Sequence, residues 1–120
     1  MMETNGPPGD GQTIGKRIEI PLGVDPFGLD IAGIASADRK RVIVISESGR
    51  LGAVGDWFEA SRKRFVIATI LTCTVEFTSK FLHKEKGFSS PEEFLTAWKG
   101  AHSEGADPHS KVFVHFFEMQ

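Results

Sequence analysis

The feature that most limits the fold is a twelve-residue run, Arg64 to Val75, which contains neither glycine nor proline and is rich in β-branched side chains. Such side chains suit the pleated surface of a sheet and lose rotamer freedom in a helix. We therefore predict one long strand here. Because side chains alternate between the two faces of a strand, apolar residues of one parity should share a face. They are Phe65, Ile67, Leu71, Cys73 and Val75.

Four shorter segments have the composition of strands. Arg41 to Ser46 is a β-branched run that is apolar enough to be buried on both faces. Trp57 to Ala60 follows a glycine-containing turn, and Lys111 to Phe117 is rich in phenylalanine and valine. Arg17 to Ile20 alternates polar and apolar side chains before Pro21, which lacks the N–H that a ladder needs. The chain should therefore supply about five strands.

Two segments carry weaker helix signals. Pro26 suits the first helical position after Asp25 as the N-cap, and the apolar spacing that follows predicts a helix over residues 26 to 37. Phe77 to Lys84 is predicted to form one or two helical turns that close at Gly87. In these turns we expect three apolar side chains to be directed inwards: Phe77, Phe81 and Leu82.

The strongest helix signal begins at Ser90. The serine precedes Pro91, and Glu93 follows three residues after the cap, which together form a capping box. In such a box the hydroxyl accepts a hydrogen bond from a backbone N–H at the start of the helix. The helix is predicted over residues 91 to 101. Its buried side chains should be Phe94, Leu95 and Trp98.

Strands and short helices interleave here without the regular rhythm of a βαβ protein. The predicted fold class is α+β, a small mixed β-barrel of about five to six strands with two to three short helices. At 120 residues the chain has the size of one domain. Residues 1–16 are rich in glycine, proline and polar side chains, so they are predicted to form a disordered N-terminal tail before a domain at residues 17–120.

Charge, cysteine content and histidine spacing limit the kinds of binding site that the chain can carry. A formal net charge of −2 gives no overall basic excess, so any site for nucleic acid must be a local patch. Cys73 is the only cysteine and is expected to be an inert buried thiol. The histidines show no zinc spacing and are expected at the surface or as helix caps: His83, His102, His109 and His115. We expect a cytoplasmic protein with no cofactor, no metal and no membrane partner.

Two clusters of three basic residues are candidates for a binding site. They are Arg39, Lys40 and Arg41 at the predicted helix-to-strand junction, and Arg62, Lys63 and Arg64 at the head of the long strand. Both clusters precede strands of one small sheet, so they are candidates for a single patch that holds the phosphates of RNA, with Trp57 as a stacking ring. A solvated surface without a ligand is the alternative. Glu47 and Glu59 are close enough in sequence to neutralise part of the patch.

The order of these elements resembles that of the ASCH domain, which belongs to the PUA-like β-barrel superfamily. Three segments carry the resemblance: Val54-Gly55-Asp56 at the family's turn, Lys86-Gly87-Phe88-Ser89 with the capped helix after it, and Val114-His115-Phe116-Phe117-Glu118 at the closing strand. The resemblance covers roughly residues 17 to 119. It implies a barrel like that of RNA-binding PUA domains and an association with RNA metabolism. Some members of the family hydrolyse acetylated cytidine and others cut RNA.

The resemblance also assigns roles to individual residues. The family's functional motif contains a lysine, a threonine and an arginine, and these positions fall on Lys40, Ile43 and Ile45. Lys40 is therefore the implied catalytic residue, whereas Lys86 occupies the position of the catalytic carboxylate, with Glu85 one residue earlier. Amide hydrolysis needs a nucleophile and a proton shuttle within hydrogen-bond reach, and an isoleucine supplies neither.

Three functions are expected, in this order. The first is an RNA- or nucleotide-binding domain with a ligand cleft beside Lys40. The second is an ASCH-type hydrolase acting on a modified nucleoside such as acetylcytidine, or on RNA, with Lys40 as its remaining catalytic residue. The third is a non-catalytic protein-interaction domain that meets its partner at the phenylalanine-rich strand or at an exposed sheet edge. Lys40 in a cleft beside an acid would favour the enzyme, and Lys40 among arginines on an open face would favour RNA.

Overall fold

The computed structural model describes residues 15–21, 23–28, 40–102 and 107–120. Within these ranges four strands form one antiparallel sheet, and two helices pack on it. The strands are β1 (Arg41–Ser46), β2 (Trp57–Ala60), β3 (Lys63–Thr74) and β4 (Lys111–Met119), and the helices are α1 (Val75–Leu82) and α2 (Pro91–Gly100). The sheet has the order β1-β4-β3-β2 and curls into a half-barrel. The α+β class is therefore confirmed.

Four of the five predicted strands are confirmed within a few residues of their expected ends. The long strand β3 pairs with β4 for most of its length, and β1 is buried at five of its six positions. The fifth segment forms only one parallel bridge, between Arg17 and Trp57. After Ile20 the chain enters a turn, in which the Val24 N–H donates to the Pro21 carbonyl (3.2 Å).

The predicted helix at residues 26 to 37 does not begin at Pro26. Residues 26 and 27 form a turn, in which the Asp25 carboxylate accepts the Phe27 N–H (2.9 Å). Gly28 then has φ of 76°, a left-handed conformation that cannot continue a right-handed helix. The rest of the predicted helix lies outside the described residues.

Two residues of the predicted tail are held against the domain. The Gly15 N–H donates to the Gly55 carbonyl (2.8 Å), and the Lys16 N–H donates to the Asp56 carboxylate (3.0 Å). Asp56 is buried and also accepts the Ala53 N–H (2.8 Å), so one carboxylate joins the start of the domain to the turn before β2. The remainder of the predicted tail lies outside the described residues.

The sheet separates two hydrophobic cores, one on each face. On the first, which we call the loop face, Ile18 and Leu51 pack on buried strand residues: Val42, Val44, Phe58, Phe65, Ile67 and Phe117. On the second, which we call the helix face, Phe94 and Trp98 of α2 pack on Ile43, Ile45, Val112 and Val114. Successive residues of β1 belong to opposite cores because strand side chains alternate in direction. This is why β1 is apolar at consecutive positions.

A β-bulge corrects the predicted faces of the long strand. Ile67 pairs with Phe117 and Thr69 pairs with Phe116, so Ala68 is an extra residue in β3. An extra residue reverses the parity of every side chain that follows it. Consequently Phe65 and Ile67 lie in the loop-face core, whereas Leu71 and Cys73 pack on the helix-face core. The prediction that these four side chains share one face was wrong.

Helix α1 is confirmed, but two of its side chains were assigned to the wrong side. The helix starts where the Thr74 hydroxyl accepts the Phe77 N–H (3.1 Å), and a short 3-10 turn follows before Gly87 in a left-handed conformation. Its inward stripe is Val75, Thr78, Ser79 and Leu82, spaced three and four residues apart. Phe77 and Phe81 lie outside this stripe and are 39% and 65% exposed.

Helix α2 confirms the capping box with one change of partner. The Ser90 hydroxyl accepts the Glu93 N–H (3.1 Å), as predicted. The Glu93 carboxylate accepts from the Ser89 N–H (2.8 Å), one residue before the cap. The capped helix covers part of the sheet, and it buries Phe94 and Trp98 and half-buries Leu95.

Candidate nucleic-acid interface

The sheet topology brings the two basic clusters to one end of the sheet. β1 and β3 both run antiparallel to β4, which lies between them, so both begin at the same end. There the Met119 N–H donates to the Lys40 carbonyl, and the Gln120 N–H donates to the Arg64 carbonyl (both 2.8 Å). The starts of β1 and β3 are therefore two strand spacings, or about 10 Å, apart. We call this the cationic end; Arg39 lies outside the described residues.

Arg62 lies at the tip of the hairpin that joins β2 to β3 at the cationic end. Ala60 pairs with Lys63, so the connecting loop is Ser61 and Arg62, with φ of 51° and 66°. Two positive φ angles are typical of a type I′ turn, in which Asn-Gly is favoured. A side chain with a Cβ atom costs about 1 kcal/mol in this region. The hairpin therefore holds the exposed Arg62 in a strained backbone conformation.

Trp57 lies on the same face as Arg64 but is not an open platform. The Arg64 guanidinium carbon lies 4.1 Å from the centroid of the indole ring, and that of Arg17 lies 5.7 Å away. The indole N–H donates to the Gly15 carbonyl (3.2 Å). A nucleobase that stacks on the ring face beside Arg64 must therefore displace its guanidinium. The ring's present effect is to hold Arg64 at the cationic end through a cation–π contact.

A shallow groove of about 200 Å³ adjoins the cationic end on the helix face. It is lined by Arg41, Ala68, Thr69, Phe116 and Glu118. The bulge leaves Ala68 and Thr69 exposed, and Phe116 is half-buried at the border of the helix-face core. No sequence motif distinguishes Phe116 or Glu118 as a ligand contact. Strand register identifies them, because the pairing of β4 with β1 places both side chains beside Arg41. Register cannot be predicted until the paired strand is known.

Glu118 is the acidic member of the groove. Its carboxylate lies 3.9 Å from the Arg41 guanidinium, and the two side chains are 51% and 57% exposed. This distance gives attraction between the charges but exceeds that of a hydrogen bond. No hydrogen bond to the Glu118 carboxylate is found within the described part of the chain. Both of its oxygens therefore remain available as acceptors beside a cation.

Of the two glutamates expected to neutralise the patch, only one lies near it. Glu59 pairs in register with Arg64 on the neighbouring strand. Glu47 lies beyond the opposite end of β1, where its carboxylate oxygens are 3.0 Å from the His102 ring. Lys40, Arg41, Arg62 and Arg64 consequently keep a local positive charge on a chain with net charge −2.

Lys86, which the resemblance set at the position of a catalytic carboxylate, is part of a buried ion pair. Its ammonium donates to the Asp25 carboxylate (2.8 Å) and to the Ile43 carbonyl (3.0 Å). Asp25 also accepts the Ile45 N–H (2.9 Å), and the two charged side chains are 0% and 8% exposed. Ile43 and Ile45 themselves are buried in the helix-face core. These residues stabilise the edge of β1, whereas Lys40 is exposed at the end of the strand.

His115 contradicts the expectation that the histidines lie at the surface or cap helices. Its ring is fully buried beside Phe117 on the loop face. The Leu51 N–H donates to Nε2 (2.9 Å), so Nδ1 carries the proton and donates to the Val44 carbonyl (3.2 Å). Burial is the main cause that lowers the pKa of His115. The neutral ring therefore joins β4 to β1 and to the loop at Leu51.

Two other histidines do cap helices. His83 Nδ1 bonds to the Ser79 carbonyl (2.8 Å), and His102 Nδ1 donates to the Trp98 carbonyl (2.6 Å). The bond to Trp98, followed by that to Glu47, raises the pKa of His102. Burial raises the pKa of the Cys73 thiol, which agrees with the expectation of an unreactive cysteine. These groups have structural contacts away from the groove.

The described residues contain no group of three histidine, cysteine, aspartate or glutamate side chains placed to hold a metal ion. In the same part of the chain, no helix is both long and apolar enough to cross a membrane. No protein-family model, curated protein or solved structure matches this chain. The case for a function therefore depends on the geometry and charge of the cationic end.

Proposed function

We propose that this domain binds nucleotide units, as single-stranded RNA or as free nucleotides, at the cationic end and in the groove beside it. The observation that carries the proposal is the strand order, because β1 and β3 begin on either side of the end of β4. Basic residues separated by more than 20 positions in sequence thereby lie on strand starts whose backbones are about 10 Å apart. Adjacent phosphates of an extended strand are suitable ligands for such a pair of cationic clusters.

An aromatic ring beside the cations supports the same ligand class. Proteins that bind single strands combine a positive groove with rings on which bases stack, and each such stack contributes about 1–3 kcal/mol. Phe116 lines the groove, and Arg41 lies beside it on the neighbouring strand. The cationic end can therefore hold the phosphate of a nucleotide whose base stacks on Phe116 in the adjoining groove. The resemblance to the ASCH domain points independently to RNA.

No observation favours the hydrolase. Lys40 is exposed, and the described acid nearest to it in the sheet is Glu118, which faces Arg41. The family's threonine and arginine positions are buried isoleucines, and the position of its carboxylate is a lysine that is bonded to Asp25.

The test measures binding of fluorescently labelled single-stranded RNA by anisotropy at several salt concentrations. Replacing two exposed cations, Lys40→Gln with Arg41→Gln, should weaken binding. It should also reduce the slope of log affinity against log salt by about 0.7 for each lost phosphate contact. The control, Lys80→Gln with Lys99→Gln, removes two exposed lysines from α1 and α2 and should bind as the wild type does.

Two results would contradict the proposal. The first is wild-type protein that binds neither RNA nor mononucleotides, and the second is equal binding by the two double variants. Purified protein should also be incubated with acetylcytidine. Release of acetate that Lys40→Ala abolishes would establish the hydrolase instead.

A further inference from the structure

The groove places an arginine beside a glutamate, and the glutamate would weaken binding at a surface that bound only phosphate. Glu118 repels phosphate, yet it lies at the centre of the cationic end, between Arg41 on β1 and Val66 on β3. Its carboxylate approaches Arg41 to 3.9 Å and is half exposed. A carboxylate in this position reduces affinity for the backbone of RNA. It is suited instead to accept hydrogen bonds from a base.

The pair offers a defined order of hydrogen-bonding groups. The Arg41 guanidinium is a donor only, and the ionised Glu118 carboxylate provides two acceptor oxygens. A base that faces the pair must therefore present one acceptor followed by two donors. Guanine does so along its Watson–Crick edge, with O6, N1–H and the N2 amino group in that order.

The other bases do not match this order. In the orientation described for guanine, adenine and cytosine present an amino donor to the arginine and a ring-nitrogen acceptor to the carboxylate. When turned over, each offers the carboxylate only its amino group, whereas guanine offers two neighbouring donor groups. Uracil presents a carbonyl to the arginine and N3–H to the first carboxylate oxygen, but its second carbonyl faces the other oxygen. Each mismatch leaves a charged group without a hydrogen-bond partner, or places two donors or two acceptors face to face. Either result lowers the affinity for that base.

We infer that the groove selects guanine, with the base stacked on Phe116, O6 bonded to Arg41, and N1–H and the N2 amino group bonded to Glu118. This inference rests on the proposed function and identifies the base that the site recognises. Phe116 and Glu118 are two residues apart on β4, so their side chains share one face at a separation of about 7 Å. The extended Glu118 side chain reaches the edge of a base that lies over the ring.

The experiment compares binding of single-stranded RNA heptamers of uridine with one central guanosine, inosine, adenosine, cytidine or uridine. Guanosine should bind at least about tenfold more tightly than adenosine, cytidine or uridine. Inosine lacks the N2 amino group and should bind several-fold more weakly than guanosine. The inosine comparison changes only the ligand, so it does not depend on the folding of any variant.

Glu118→Gln replaces one acceptor with a donor and should abolish the preference for guanosine. Glu59→Gln is the matched control, since Glu59 is an exposed carboxylate on the same sheet face, outside the residues that line the groove. It should keep the preference. Thermal unfolding of both variants verifies that they fold.

The failure of this inference differs from the failure of the proposed function. Heptamers bound with equal affinity, or a guanosine preference that survives Glu118→Gln, would overturn guanine selection and leave RNA binding intact. A wild-type protein that binds no heptamer and no mononucleotide would overturn both.

Discussion

The helix face of the sheet has two halves that the same strands build with opposite chemistry. In one, which we call the covered half, α2 packs on Ile43, Ile45, Val112 and Val114. In the other, which we call the open half, the side chains are Arg41, Thr69, Phe116 and Glu118. β1 and β4 pass from one half to the other within two residues. Burial thus dictates apolar side chains beneath α2, whereas positions beyond the helix are free to carry charge and hydrogen-bonding groups.

The largest expected effect comes from replacing one phenylalanine in each half of the helix face. Phe94→Ala should lower the free energy of unfolding by about 4 kcal/mol, because Phe94 is fully buried against Trp98 and the sheet. Phe116→Ala should cost less, since its ring is half exposed, but it should weaken RNA binding. Urea titration and anisotropy measure the two effects. Equal losses of stability with unchanged binding by Phe116→Ala would remove the distinction between the halves.

A smaller effect is expected from the ion pair at the edge of the covered half. Lys86→Met should lower the free energy of unfolding by about 3 kcal/mol, because it leaves the buried Asp25 carboxylate without its cation. Adding Asp25→Asn should restore part of the loss, since the charge is then removed but the amide nitrogen cannot accept one of the two backbone N–H groups that the carboxylate accepts. Chemical denaturation of the single and double variants measures this. A double variant as unstable as Lys86→Met alone would show that the charge is not the cause.

The smallest expected effect concerns the strained hairpin at the cationic end. Ser61→Asn with Arg62→Gly should raise the free energy of unfolding by about 1 kcal/mol, since Asn-Gly adopts positive φ with less strain. The same double variant should bind RNA more weakly because it loses the exposed guanidinium. Ser61→Asn alone is the control and should keep full binding. A double variant that is more stable and binds normally would exclude Arg62 from the interface.

Local signals in the sequence predicted most of the fold. The β-branched runs of β1 and β3 and the Ser90 capping box act within a few residues, so they can be read without knowledge of tertiary contacts. The faces of these elements were harder to predict. Ala68 carries no sequence mark of a bulge, and the start of α1 at Val75 determines that Phe77 and Phe81 are exposed. The bulge shifts the register of β3 by one residue, and α1 begins two residues before its predicted start.

The candidate site was predicted in part for the same reason. The basic clusters are visible in the sequence because each is a run of neighbouring residues. Phe116, Glu118 and Arg41 form the groove only because β1 pairs with β4 at a particular register. His115 was placed at the surface because its buried position depends on Leu51 and Val44, which are distant in sequence. Contacts between residues that are distant in sequence cannot be recognised from neighbouring residues alone.

The ion pair at the edge of β1 has a consequence for how the molecule meets other copies of itself. An edge strand normally presents free N–H and C=O groups, which another chain can use to extend the sheet into an aggregate. Here Asp25 accepts the outward N–H of Ile45, and Lys86 donates to the outward carbonyl of Ile43. Two of the outward groups that could recruit a foreign strand are therefore occupied by side chains of the same molecule. β1, which is buried at five of its six positions, therefore presents fewer free backbone groups for intermolecular pairing, and this should oppose aggregation through its edge.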